Sequence, residues 1–232
     1  MKNNRKKQLR EIYAAPPPVS KRKFFRKLPP APMSTGYILW LQFSHISISS
    51  WLVSLAMLLM VLYLRNYYSE EGVAMVLASM PFLATVSIVE SFRSRLHGME
   101  ELEMSCRFSL KSILLARMCI MGVENILLGL VIAFLLPGNM FQTVLRIFVF
   151  YLAAAHVCFR VAREMAGREG MLSCFGLAGV GCIFILFAMG QFPALYMGRY
   201  DYIWLMTGII LLYLTYREGK RNVQSVERYA SF

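Results

Sequence analysis

An all-α, polytopic membrane protein with six transmembrane helices, both termini in the cytoplasm and short outer loops is the fold this chain predicts. Three observations lead there. The 232 residues are 57% hydrophobic and 16% charged, with a mean hydropathy of +0.51; soluble domains run at about 45–50% apolar and about 25% charged. The apolar residues are gathered into six runs, most of them near the roughly 18 residues that carry a helix across a hydrocarbon core of about 30 Å. Lys and Arg then fall almost entirely on one side of those runs.

Residues 1–36 form a basic, proline-rich head, "MKNNRKKQLREIYAAPPPVSKRKFFRKLPPAPMSTG". Its prolines favour an extended, partly disordered segment. It is expected to stay attached, since no small-residue cleavage site follows the first apolar run. In 37–46, Tyr37, Trp40, Leu41 and Ser44 share a helical face, and Trp and Tyr favour headgroup depth. Either a helix lying in the interface or the start of one long, tilted first helix fits.

The spans follow at about 48–64, 73–89, 113–136, 141–159, 171–190 and 202–216, with a basic tail at 217–232. "RNYYSEEG" separates the first two. The second holds Pro81 near its middle, where the missing N–H predicts a kink that a bundle tolerates. "PGNM" predicts a tight turn between the third and fourth. With the termini, the 91–112 loop and the 160–170 loop inside, 21 Lys and Arg lie in the cytoplasm and two, Arg65 and Arg199, lie outside. Basic residues near span ends are retained in the cytoplasm, so the asymmetry supports both the orientation and the count of six.

The formal net charge of +12 therefore has a membrane explanation first. Retention of loops and attraction to anionic lipid, worth about 1 kcal/mol per cation near the surface, account for it. Nucleic acid is not the expected partner, although basic patches with aromatics such as Phe24 and Phe25 do bind phosphate backbones. The five cysteines show no metal or redox spacing. Cys174, Ala178 and Cys182 recur every four residues, a small-residue stripe that lets another helix approach.

Enzyme motifs are missing. There is no GxxxxGK[ST], HExxH or GxSxG. Glu100-Glu101 resembles the EExxxR pair of CAAX-type intramembrane proteases, but Ser105 occupies the arginine position and the pair falls in a loop. No catalytic residue, cofactor or metal site is expected, and any ATPase activity would belong to a partner.

Ionisable groups inside spans are the remaining candidates, because a charge at the bilayer centre costs about 2.5–3.5 kcal/mol on insertion scales and seldom goes unpartnered. Glu124, with Asn125 beside it, lies about 16 Å into the third span by helical rise, and His156 lies at a similar height on the fourth. Pairing of Glu124 with His156 is expected, with Arg146 able to reach toward the same carboxylate. An interhelical clamp and a substrate or proton path both fit, and snorkelling also accounts for Arg146 and Arg117.

The 91–112 loop is the largest cytoplasmic one between spans. Phe92, Leu96, Met99, Leu102 and Met104 make an apolar face opposite Arg93, Arg95, Glu100, Glu101 and Glu103, the pattern of a short amphipathic helix on the inner membrane surface. Ser109 is placed to cap the third span.

"GMEELEMSCRFSLKSILLAR", residues 98–117, resembles the loop after the second span in permeases of the type-2 ABC exporter family. In those, a segment rich in Gly, Leu and Glu leads through a Thr-Pro corner to a Ser and a basic residue. Gly98, Glu101, Leu102, Ser109, Ile113, Leu115 and Arg117 match without a gap, while Cys106-Arg107 replaces the Thr-Pro corner and Glu100 and Glu103 stand at positions usually apolar. The resemblance implies a permease or permease-like subunit in a bacterial cytoplasmic membrane, working as a homo- or hetero-dimer among membrane lipids. A separate ABC ATPase would grip Gly98, Met99, Glu100, Glu101, Leu102, Glu103, Arg107 and Ser109. A rival reading is a non-transporting membrane anchor or regulator that holds a cytoplasmic signalling partner, anti-sigma-like, through its head, loop and tail.

Overall fold

The structure, a computed structural model, describes residues 35–67, 71–92, 110–165, 167–192 and 200–229. Seven α-helices make up these residues: α1 Thr35–His45, α2 Ile48–Tyr67, α3 Glu71–Ser91, α4 Leu110–Leu135, α5 Met140–Glu164, α6 Arg168–Gln191 and α7 Asp201–Tyr229. Five of them, α2 to α6, are long and apolar enough to cross a membrane, the architecture of a multi-pass membrane protein. That is one fewer than the six runs expected. α7 forms as a helix, but its apolar run of 202–216 gives way at Arg217-Glu218 to a polar stretch.

The breaks between helices have local causes. α1 and α2 are separate helices, so the first apolar region is not one long tilted rod. Ser47 sits at the break, and its backbone N–H and hydroxyl donate to the Glu90 carboxylate of α3 at 3.0 and 2.7 Å. At the α4–α5 turn Gly138 takes φ +113°, a conformation that favours glycine. Asn139 then caps α5, its side chain accepting from the Phe141 N–H at 3.1 Å. α5 passes to α6 through Gly167, at φ +80°. Three residues on, a Cβ on Gly170 would come 2.4 Å from the Met165 carbonyl oxygen. α3 continues as one helix on both sides of Pro81, and the Thr85 hydroxyl donates to the Pro81 carbonyl at 2.8 Å.

α4 has the most neighbours, packing on α1, α2, α3, α5 and α7, while α3 packs on α2, α4, α5 and α6, and α5 on α3, α4, α6 and α7. In its most apolar stretch α3 is 61% buried, against 17% for α6. Leu172, Val180, Ile183, Phe184 and Phe187 of α6 stay exposed, an apolar face suited to lipid rather than water. Of the small-residue stripe, Cys174 and Ala178 are buried and Cys182 is half-buried, while the neighbouring Gly181 lies against the Pro81 ring.

Two apolar clusters form the core. One joins Met57, Val61 and Leu64 of α2 to Leu77 and Met80 of α3 and Ile132 of α4. The other joins Ala84, Ile88 and Phe92 to Ala155, Cys158 and Phe159 of α5, Cys174 of α6 and Val223 of α7. Tyr151 touches both, and Ser87 and Asn125 meet at its level.

Candidate functional site

Asn125 of α4 is buried at that level. Its amide donates to the Ser87 hydroxyl of α3 at 2.7 Å, to the Met121 carbonyl at 2.6 Å and to the Tyr151 hydroxyl of α5 at 3.2 Å. One side chain thereby ties three helices together. The bond to Met121, four residues earlier in the same helix, holds the amide in place while Ser87 and Tyr151 meet it. Where lipid offers no hydrogen bonds, such contacts select one packing, although each adds only about 0.6 kcal/mol on average.

Glu124, one residue earlier, points to a different neighbour. The Ser54 hydroxyl of α2 donates to its Oε1 at 2.6 Å, and its Oε2 is buried with no hydrogen-bond partner. The carboxylate lines a groove of about 620 Å³ between α1, α2 and α4, whose other walls include Trp40, Phe43, Trp51, Val123 and Leu127. Trp40 stacks on Phe43 at 6.4 Å between ring centroids, and Phe43 meets Trp51 edge-on at 5.3 Å. A buried carboxylate oxygen with its acceptor capacity unmet, beside aromatic rings in an apolar wall, would be satisfied by a hydrogen-bond donor or a cation.

The expected pairing of Glu124 with His156 is not made. No hydrogen bond or ion pair joins them, and His156 Nδ1 is buried without a hydrogen-bond partner. Equal height along two helices fixes only one coordinate; rotation about each axis turns Glu124 toward α2. Arg146 does not reach this carboxylate either. Its guanidinium lies 3.9 Å from Asp201 Oδ1, and the Gln142 amide donates to Asp201 Oδ2 at 2.8 Å. Arg117 Nε donates to Gln42 Oε1 of α1 at 2.9 Å, a specific contact where snorkelling was the simpler expectation.

At the far end of α5 from Gln142, Glu218 of α7 is buried between Arg163 of α5 and Arg221, which donates to it at 2.8 Å. Burial alone would push its carboxyl pKa up. The two guanidinium groups outweigh that and hold it below the ordinary carboxylate value. Asn222, fully buried, donates to the Phe159 carbonyl at 3.0 Å one turn further on.

The coupling residues expected from the resemblance, Gly98, Met99, Glu100, Glu101, Leu102, Glu103, Arg107 and Ser109, lie outside the described residues, as do residues 1–34 of the head and Cys106. Sequence reasoning missed Ser54, Glu90, Ser87 and Tyr151. A signal existed for the first. Ser47, Ser50 and Ser54 are spaced three and four apart, so they share a helix face, and that face meets both Glu90 and Glu124. Among the described residues no group of three or more His, Cys, Asp or Glu is arranged to hold a metal ion.

No protein-family model, curated protein or solved structure matches the chain.

Proposed function

We propose that this chain is a six-span permease, or permease-like subunit, of an exporter driven by a separate ATPase, with the 91–112 segment as the coupling element. The observation that carries the reading is the position of α3 and α4. The segment leaves from the end of α3, which packs on four helices, and re-enters the bundle at α4, which packs on five. A push delivered to that segment enters the bundle through helices that touch most of the others, which suits rigid-body rearrangement of the spans. α7 as the sixth crossing is supported by its alignment beside α5. Asp201 lies next to Gln142 and Arg146 at one end, and Glu218 lies next to Arg163 at the other, so α7 rises over the same height as a helix long enough to span. Six crossings, with the basic termini inside, follow from that reading.

The test is purification of the full-length chain from native membranes with whatever binds it. An ABC-type ATPase is expected to co-purify and to be lost when Met99 and Leu102 are replaced by Asp. Retention of the ATPase by that variant would argue against the contact, and labelling of Cys106 from outside intact cells by a membrane-impermeant thiol reagent would reverse the orientation.

The rival reading, a membrane anchor for a cytoplasmic signalling partner, is favoured by one observation. The Asn125, Ser87 and Tyr151 contacts tie α3, α4 and α5 together, as a static scaffold would require. Recovery of a sigma-type factor instead of an ATPase in the same purification would select it.

A further inference from the structure

We propose that the groove between α1, α2 and α4 is a binding site for a lipophilic organic cation, with Glu124 as its counter-ion. The reading goes beyond the permease assignment and does not depend on an ATPase, because binding is a property of this chain alone.

Glu124 stands fourteen residues after the start of α4 and eleven before its end, about 21 Å and about 16 Å by helical rise. It is therefore near mid-span. Ser54 occupies one carboxylate oxygen and leaves Oε2 without a hydrogen-bond partner. An acyl chain entering the groove would match the apolar walls and leave that oxygen unsatisfied in a water-poor setting, which is unfavourable. A lipid headgroup is anchored at the membrane surface and does not match a carboxylate at this depth.

A hydrophobic cation meets both demands. Its charge faces Glu124, and its apolar or aromatic body lies against Trp40, Phe43, Trp51 and Leu127. Trp is the strongest side-chain partner for cations held over a ring face, and two of the three tryptophans of the chain line this one groove. The volume of about 620 Å³ falls within the roughly 300–1,000 Å³ of small-molecule sites. Among the described residues the lining holds no Lys or Arg to oppose a cation.

The probe is radiolabelled tetraphenylphosphonium, equilibrated with the purified full-length chain in detergent, with empty micelles subtracted. Saturable binding is expected, uncompeted by neutral triphenylphosphine oxide. Glu124→Gln, which keeps an acceptor for Ser54, should weaken binding by at least about tenfold. Val123→Trp fills the groove with the carboxylate intact and should weaken it similarly. Both variants are checked for a monodisperse gel-filtration peak, so that loss of fold is seen separately. Uptake equal to that of empty micelles overturns the proposal. So does unchanged affinity in a folded Glu124→Gln or Val123→Trp chain, or equal competition by the neutral compound.

Discussion

Asp201, the first residue of α7, accepts a hydrogen bond at 2.8 Å from Gln142 in the first turn of α5. The helices are still side by side further along, with the Thr215 hydroxyl donating to the Leu152 carbonyl and Glu218 held by Arg163. α5 and α7 therefore run parallel, packed directly on each other. The polar contacts at the two ends act on the same pair of helices, so each can be tested separately.

The Glu218 contact predicts a pH dependence. Because the Glu218 carboxyl is held below its ordinary value in the folded chain, its contribution to stability is fully present above the unfolded carboxylate pKa of about 4.3. It is lost as pH falls from there through the lower folded value. Thermal unfolding in detergent between pH 7 and pH 3 should show the wild-type chain losing stability below about pH 4.3, and Glu218→Gln should show a smaller loss over that range. Parallel curves for the two chains would remove this role.

The Ser47–Glu90 contact predicts a destabilisation. Glu90 accepts from the N–H and the hydroxyl of Ser47, at the start of α2 where a negative charge is favoured by the helix dipole. Glu90→Ala should lower stability by about 1.5–3 kcal/mol, the range for hydrogen bonds to charged groups. Glu90→Gln should cost less. Reversible unfolding in mixed micelles measures both, and an unaltered midpoint for Glu90→Ala would contradict the anchoring role.

Glu124 should be coupled to Ser54 and uncoupled from His156. A double-mutant cycle of Ser54→Ala with Glu124→Ala should show an interaction of about 0.6–1.7 kcal/mol, the span from average to strongest in membrane bundles. The cycle of Glu124→Ala with His156→Ala should be additive within about 0.5 kcal/mol. Strong coupling in the second cycle would mean that the two side chains meet after all.

Gly170 should not tolerate a side chain. A Cβ there would approach the Met165 carbonyl oxygen to 2.4 Å, so either the α5–α6 connection or the start of α6 must shift. Gly170→Ala should cost about 1–3 kcal/mol, as overpacking does. Gly176→Ala, with open space around the added carbon, serves as the control and should be neutral or slightly favourable through helix propensity. Equal stability of the two variants would show that the connection yields easily.

Much of the helix plan was legible because crossing a membrane demands long apolar runs, and long apolar runs are visible in one dimension. The turn at 137–140 was legible for a similar reason, since Pro-Gly-Asn carries its own backbone preferences. The separation of α1 from α2 was left open, because it hangs on Glu90, which lies 43 residues away from Ser47. The shortness of the last apolar run was also in the sequence. That α7 nevertheless lies beside α5 from end to end came from Gln142, Arg163 and their partners.

Composition and charge placement by themselves determined that this is a helical, multi-pass membrane chain with polar residues at Glu124, Asn125, Arg146 and His156. Which of those residues meet was decided by the tertiary structure alone. Helical rise sets the depth of a side chain and can be counted along the chain, but its partner depends on the rotation of each helix and on which helices are neighbours. Those are set by packing across the whole bundle, which is how Glu124 comes to face Ser54 and an open groove while His156 does not join it.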